Sequence, residues 1–298
     1  MRLLLAPLLM LLTAAAEPPL LLREQSWTTS ADLAHALTHA PQECAAPASL
    51  SPQAQAGRAL FRAPVLLGGP AARAGLSCNA CHSNGRANAA FLLPELTDRA
   101  GAADVTSEWS SRVRGDGRMN PIAIPDLAGV NQRSAFGHAA DPSLEHFVEG
   151  VILEEFQGEI SGQTLPLVLA YLRTLDDGAC ASAVASITLV TAADDVRLAF
   201  GAAQSVEDWP TASRVLAAAQ DAIGRIVERL PARGFQNDRQ ALAALSRELT
   251  AMRTGGPDAL AIAASGWRAR FDAAVTRIAR RERRTYFNEA ALRAALAR

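Results

Sequence analysis

The hexapeptide Ser77-Cys78-Asn79-Ala80-Cys81-His82 constrains this chain more than any other stretch. Two cysteines at C-x-x-C spacing with a histidine immediately after them read as a c-type haem attachment site. The chemistry requires that order. Each thiol adds to one haem vinyl group, and the two thioether bonds fix the porphyrin beside the next residue. His82 is then held under the iron as proximal ligand, a role that suits imidazole nitrogen. Two other readings use the same cysteines. Zinc needs four ligands, usually a second C-x-x-C or a spaced pair of histidines, and no such pair follows. A thioredoxin-like redox pair expects a βαβ context, and no strand pattern surrounds Cys78 and Cys81. The expected cofactor is one covalent haem c on Cys78, Cys81 and His82.

The N-terminus points to export. Met1-Arg2 precedes an apolar run from Leu3 to Leu12 and the small residues Ala14-Ala15-Ala16. A basic start, a short apolar core and a small-residue exit mark a secretory signal peptide, so residues 1–16 are expected to be cleaved. The run falls short of the ~20 apolar residues a spanning helix needs, so no membrane span is expected after cleavage. Export agrees with the haem motif, because bacterial c-type haem is attached outside the cytoplasm; the expected location is the periplasm.

Charge excludes one class of partner. With 29 basic and 30 acidic residues the formal net charge is −1, which leaves no basic footprint for nucleic acid. Every basic residue is arginine, a feature we assign to genomic composition. Aromatic residues make up only 5% of the chain, so the core must rely on Leu, Val, Ile, Ala and a few Phe. A haem would help a small domain bury apolar surface.

The expected fold is all-α, a cytochrome c-like haem domain at 51–180 followed by a helical bundle at 181–298. Residues 17–50 form an N-terminal extension in which Asp32 can cap a short helix through about Thr38. His35 and His39 lie four residues apart and share a face of it. That spacing can bind metal, but the sequence places no carboxylate beside the pair, and a partly exposed helix face accounts for both. Ser51-Pro52 opens the next helix, with Ser as N-cap and Pro at its first position. Residues 84–134 carry many turn formers; a loop of that length in a compact domain is usually functional, and here it would wrap the macrocycle. Asp141 or Ser143 caps a helix with Leu144, Phe147, Val148, Val151 and Ile152 at helical spacing. A further helix spans about Leu165 to Leu175.

Beyond 181, Ile223, Ile226, Val227 and Leu230 share one face, Leu242, Leu245, Leu249 and Met252 another, and Trp267, Phe271, Val275 and Ile278 a third. Three to five amphipathic helices with breaks at Pro210, Pro231 to Gly234 and Gly255-Gly256-Pro257 suggest an antiparallel bundle. It contains no Cys and no His, so no second haem is expected there. The cluster Arg280, Arg281, Arg283 and Arg284 reads as a solvated face or a dock for an acidic partner.

Several segments together carry a family resemblance. They are Gly57-Arg58-Ala59-Leu60-Phe61, the haem motif, Ile124 to Val130, Phe136-Gly137-His138, Ser143 to Val148 and Leu169 to Leu175. In that order and spacing, residues 51–180 resemble the di-haem cytochrome c peroxidase and MauG family. The resemblance implies a bacterial periplasmic, helical cytochrome c domain that handles electrons for peroxide reduction or oxidative modification. Three departures bear on activity. Established peroxidases of the family carry two C-x-x-C-H motifs, and this chain has one. The family's H-D-G is His138-Ala139-Ala140 here, and the methionine that often ligates the electron-transfer haem would fall near Val151.

The sixth iron position has three candidates. Only Met119 and Met252 remain after signal removal, and all histidines lie at or before 146. Met119 is the first candidate, on an irregular loop; His/Met ligation raises the potential and favours electron transfer. The other reading of Met119 is a buried side chain filling a gap. His138 matches a family position and is the second candidate, and His146 is expected to face solvent. An open, five-coordinate iron is the remaining alternative. Cys44 and Cys180 bracket the unit, and two leftover cysteines in an exported protein suggest a disulfide. The expected function is electron transfer with a redox partner protein. The alternative is a peroxidase-like enzyme working with an open site or a partner haem.

Overall fold

Local capping decides where the helices start. In the computed structural model, which describes residues 20–45, 49–137, 140–176 and 183–298, the Asp32 carboxylate accepts from the His35 amide and opens α1 (Leu33–Thr38). Ser51 accepts from the Ala54 amide at 3.2 Å and Pro52 takes the first position of α2 (Pro52–Phe61). A short α3 (Gly69–Arg73) leads to α4 (Cys78–Cys81), a single turn. Ser143 opens α5 (Leu144–Gly150), which passes into a π-turn at Val151–Glu155, and α6 is Thr164–Leu172. Thr188, Asp208 and Asn288 cap α7 (Leu189–Ala203), α8 (Trp209–Glu228) and α10 (Glu289–Leu296). Between them α9 runs Gln236–Ala279, bent at Gly256, whose φ of 84° interrupts the helix just before Pro257. The expected break at 255–257 is thus a kink, after which the helical path resumes.

The chain is mostly helical, and the all-α expectation needs one addition. Two small antiparallel sheets are present: β1 (His39–Pro41) pairs with β4 (Val184–Ser186), and β2 (Ala102–Ala103) with β3 (Ile122–Ala123). The β1–β4 pair joins the N-terminal extension to the segment leading into α7. These strands have only two or three residues each, too short for an alternating pattern to mark them in sequence.

Packing is tightest where α2 crosses α6. A Cβ on Gly57 would lie 1.8 Å from the Leu167 carbonyl oxygen, so only glycine allows the two backbones this close. On its other sides α2 packs against α7 and α8. One hydrophobic core therefore runs from Trp27 through Phe61, Leu169 and Tyr171 to Phe200, Trp267 and Phe287, unbroken across position 181. Within it Trp267 stacks on Phe200 and Phe271, with ring centroids 4.2 and 5.5 Å apart. A second, smaller cluster of Leu22, Ala34, Leu37 and Leu292 fastens α1 to α10. Among the described residues no helix is long and apolar enough to cross a membrane. The signal-peptide reading of 1–16 lies outside them.

Candidate functional site

α4 is one helical turn, and that turn sets the spacing of the two thiols. Cys78 and Cys81 are both free and half-buried. Desolvation pushes each thiol up to about 12, so both are neutral at physiological pH. Reactive redox cysteines have the opposite character, a lowered pKa in an electropositive setting, and this weakens the redox-pair reading of the motif.

His82 follows as the C-cap, its amide donating to the Cys78 carbonyl at 2.8 Å. Its ring nitrogen Nδ1 lies 3.0 Å from the Pro125 carbonyl oxygen. A carbonyl can only accept, so Nδ1 carries the proton and Nε2 keeps its lone pair. Desolvation lowers the imidazole to about 4, against the opposing pull of that hydrogen bond, so the ring is neutral at pH 7. A neutral imidazole with one nitrogen hydrogen-bonded and the other free is a metal-binding donor with its tautomer already chosen.

The surrounding backbone locks this arrangement. The Asn88 side chain donates to the Ala80 carbonyl at 2.8 Å and its amide to Cys81 at 2.9 Å. Arg86 pairs with Asp126, and the Leu127 amide donates to Gly85 at 2.9 Å, which lays 125–127 across His82. Gly85 has a φ of +81°, and a Cβ there would stand 3.0 Å from Leu175. The segment after the motif thereby meets the end of the closing helix, where Gly129 also donates to the Leu175 carbonyl. The half-buried apolar residues Leu127, Ala128, Leu144, Phe147 and Val148 pack at the margin of the core, as do both cysteines.

The sixth-ligand candidates separate. Met119 is 51% exposed, so the reading of it as buried gap-filler is corrected: its loop is held by polar contacts instead, among them Asn120 to the buried Asp104. His138 lies outside the described residues. His146 is exposed and bonded to the Asp141 carboxylate at the start of α5. Backbone donation from Ser143, helped by His146, holds that carboxyl below its usual range. Cys44 is fully buried and disulfide-bonded; Cys180, its expected partner, lies outside the described residues.

A cleft of about 1210 Å³ takes the other side of α4. Ser77, Asn79, Ala80 and Ser83 line it, while neither His82 nor Met119 does. This cleft therefore does not lie between His82 and Met119. Its wall holds an ion-pair network that sequence reasoning missed. Arg58, 6% exposed, grips Glu43 through both carboxylate oxygens and reaches Asp195 at 2.8 Å. The Tyr171 hydroxyl donates to Glu43 at 2.7 Å. Arg62 and Arg225 also face Asp195. Burial would raise the Asp195 carboxyl, but Arg62, Arg58 and Arg225 together hold it far below the usual range. The one available signal was Arg58 itself, a charged residue inside an apolar run.

No family model, no curated protein and no solved structure matches the chain.

Proposed function

We propose that the protein is an exported mono-haem c-type cytochrome, with a cytochrome c-like unit at 51–180, a helical bundle at 181–298 and electron transfer as its function. The observation that carries the reading is the hydrogen bond from His82 Nδ1 to Pro125, which leaves Nε2 free beside two unpaired thiols one turn away. Cys78 and Cys81 would hold the haem covalently and His82 would be its proximal ligand. Bound there, the group supplies one-electron chemistry between ferric and ferrous iron. The protein's own part is to anchor and orient. α4 sets the sulfur spacing, Pro125 fixes the ring and its proton, and the apolar residues packed beside the cysteines would help exclude water from the group. A redox partner protein follows from this reading.

The peroxidase-like alternative draws on a different observation. Met119 stands half-exposed and outside both packed clusters, so an open sixth position is compatible with this arrangement. His138 is the second candidate for that position.

Haem staining on a denaturing gel tests the attachment, with Cys81→Ser expected to lose most of it. Staining that persists in a Cys78→Ser/Cys81→Ser variant removes the assignment. Optical and EPR spectra of the matured protein then separate the two functions. A low-spin iron with a sulfur–iron band that Met119→Ala abolishes supports electron transfer. A high-spin iron that reacts with peroxide supports the enzyme.

A further inference from the structure

The fold supplies His35, on α1, and His39, the first residue of β1, with the carboxylate that the sequence around them lacks. Glu289, the first residue of α10, places Oε2 3.2 Å from His35 Nδ1 and 3.7 Å from His39 Nδ1. The three donor atoms all lie within 4.8 Å of one another. The two imidazoles stack with centroids 4.0 Å apart and planes 20° from parallel. We propose that His35, His39 and Glu289 form a site for a divalent transition-metal ion, with zinc as the best match, which joins the N-terminal segment to α10.

The spacing supports an ion rather than a simple hydrogen-bonded pair. A tetrahedral zinc with bonds of about 2.0–2.1 Å has donor atoms about 3.3–3.4 Å apart. The two nitrogen–oxygen separations, 3.2 and 3.7 Å, bracket that edge. At 3.2 Å His35 is within hydrogen-bond range of that oxygen and at 3.7 Å His39 is beyond it, whereas one cation would satisfy all three donors. Two nitrogens and one oxygen suit zinc, copper or nickel and are a poor set for calcium or magnesium. Three protein ligands leave a fourth position, and His35 and His39 line the large cleft, from which water or a small ligand can reach it.

The neighbours prepare the donors. His39 Nδ1 lies 3.2 Å from the His35 carbonyl oxygen and Nε2 lies 3.1 Å from Ser186 Oγ, so metal binding at Nδ1 would move the ring proton to Nε2, where Ser186 can accept it. The Thr38 hydroxyl gives its proton to the Ala34 carbonyl at 2.8 Å, so it does not compete as a donor to Nδ1. Arg293 donates to Glu289 Oε1 at 2.7 Å and leaves Oε2 to face the histidines. The same guanidinium is bonded to both oxygens of Asp32. Two carboxylates and one guanidinium leave one negative charge in this set, which a cation offsets.

The test is zinc titration by calorimetry on the full-length protein, tag-free and dialysed against chelator, beside the variants His35→Ala, His39→Ala and Glu289→Ala. Metal taken up by Cys78, Cys81 or His82 is common to all four and cancels in the comparison. The expected result is one zinc per chain in the native protein that each variant loses. Ser186→Ala should weaken that zinc on the order of 10-fold, the usual effect of removing an outer hydrogen bond. Zinc should also raise the melting temperature of the native protein and not that of His35→Ala. Equal zinc stoichiometry and affinity in the native protein and in His35→Ala would overturn the proposal. His35 is exposed, so that comparison decides the matter even if His39→Ala fails to fold.

Discussion

His82 Nδ1 lies 3.0 Å from the carbonyl oxygen of Pro125, and this contact determines which nitrogen of the ring is left to act as a donor. It also predicts a pH dependence. The folded imidazole titrates at about 4, and an unfolded histidine at about 6.5. Between those values the unfolded chain binds a proton that the folded chain refuses, so stability falls as pH falls through this window. In haem-free Cys78→Ser/Cys81→Ser protein, urea midpoints should drop from pH 7 to pH 4.5. Adding His82→Gln should flatten that part of the profile. An unchanged slope would mean that His82 titrates normally in the folded state.

The close crossing at Gly57 makes a second prediction. Gly57→Ala would place a methyl group inside the Leu167 carbonyl, and separating α2 from α6 should cost ~1–3 kcal/mol or more. Gly201→Ala is the control. It lies within α7, its nearest outside atom would be 3.9 Å from the new Cβ, and alanine there should be neutral or stabilising by ~0.5–1 kcal/mol. Thermal melts of the two variants should move apart.

Arg58 predicts a large loss. Arg58→Ala leaves Glu43 and Asp195 buried without their shared cation, and breaking a buried pair from one side costs ~3–5 kcal/mol. Arg58→Lys should recover little, because a single ammonium cannot span both carboxylates as the planar guanidinium does. The Asp195 carboxyl is held far below its usual range. Its contribution is therefore complete above about pH 4, the ordinary aspartate value, and is lost only as pH falls further. Denaturation curves at pH 7 and pH 3 check both statements.

The cysteine expectation is tested chemically. Cys44 is disulfide-bonded, and peptide mapping without reductant should recover it linked to Cys180. Closing a loop of that length should stabilise by ~4–5 kcal/mol in the chain-entropy account, so Cys44→Ser should melt well below the native protein. Recovery of Cys44 joined to Cys78 or Cys81 would rule out both the pairing and the haem attachment.

What could be read in the sequence was local. Asp32, Ser51-Pro52 and Ser143 each announce a helix because a cap acts on the next turn of its own chain. The single turn of α4 is local in the same way, since the His82 amide donates to the Cys78 carbonyl four residues back. The rest depends on distant partners. His35 gave no indication of Glu289, 254 positions away, and Arg58 none of Asp195, 137 positions away. The polar support of the Met119 loop was equally hidden, because its anchor Asp104 stands in a stretch with no helical or strand period.

The joining of the two ends has a consequence for biosynthesis. Arg23 bonds to Glu228 and Arg229 to Glu24, each across 205 positions, and Arg293 bonds to Asp32 across 261. At translation rates of ~5–20 residues per second, the N-terminal segment waits on the order of 10–50 s for these partners. During that interval Cys78 and Cys81 are already made while the α1–α10 clasp does not yet exist. α10 is therefore made long after the segment it clasps, and the haem motif spends that interval in a chain whose α1–α10 contact has not formed.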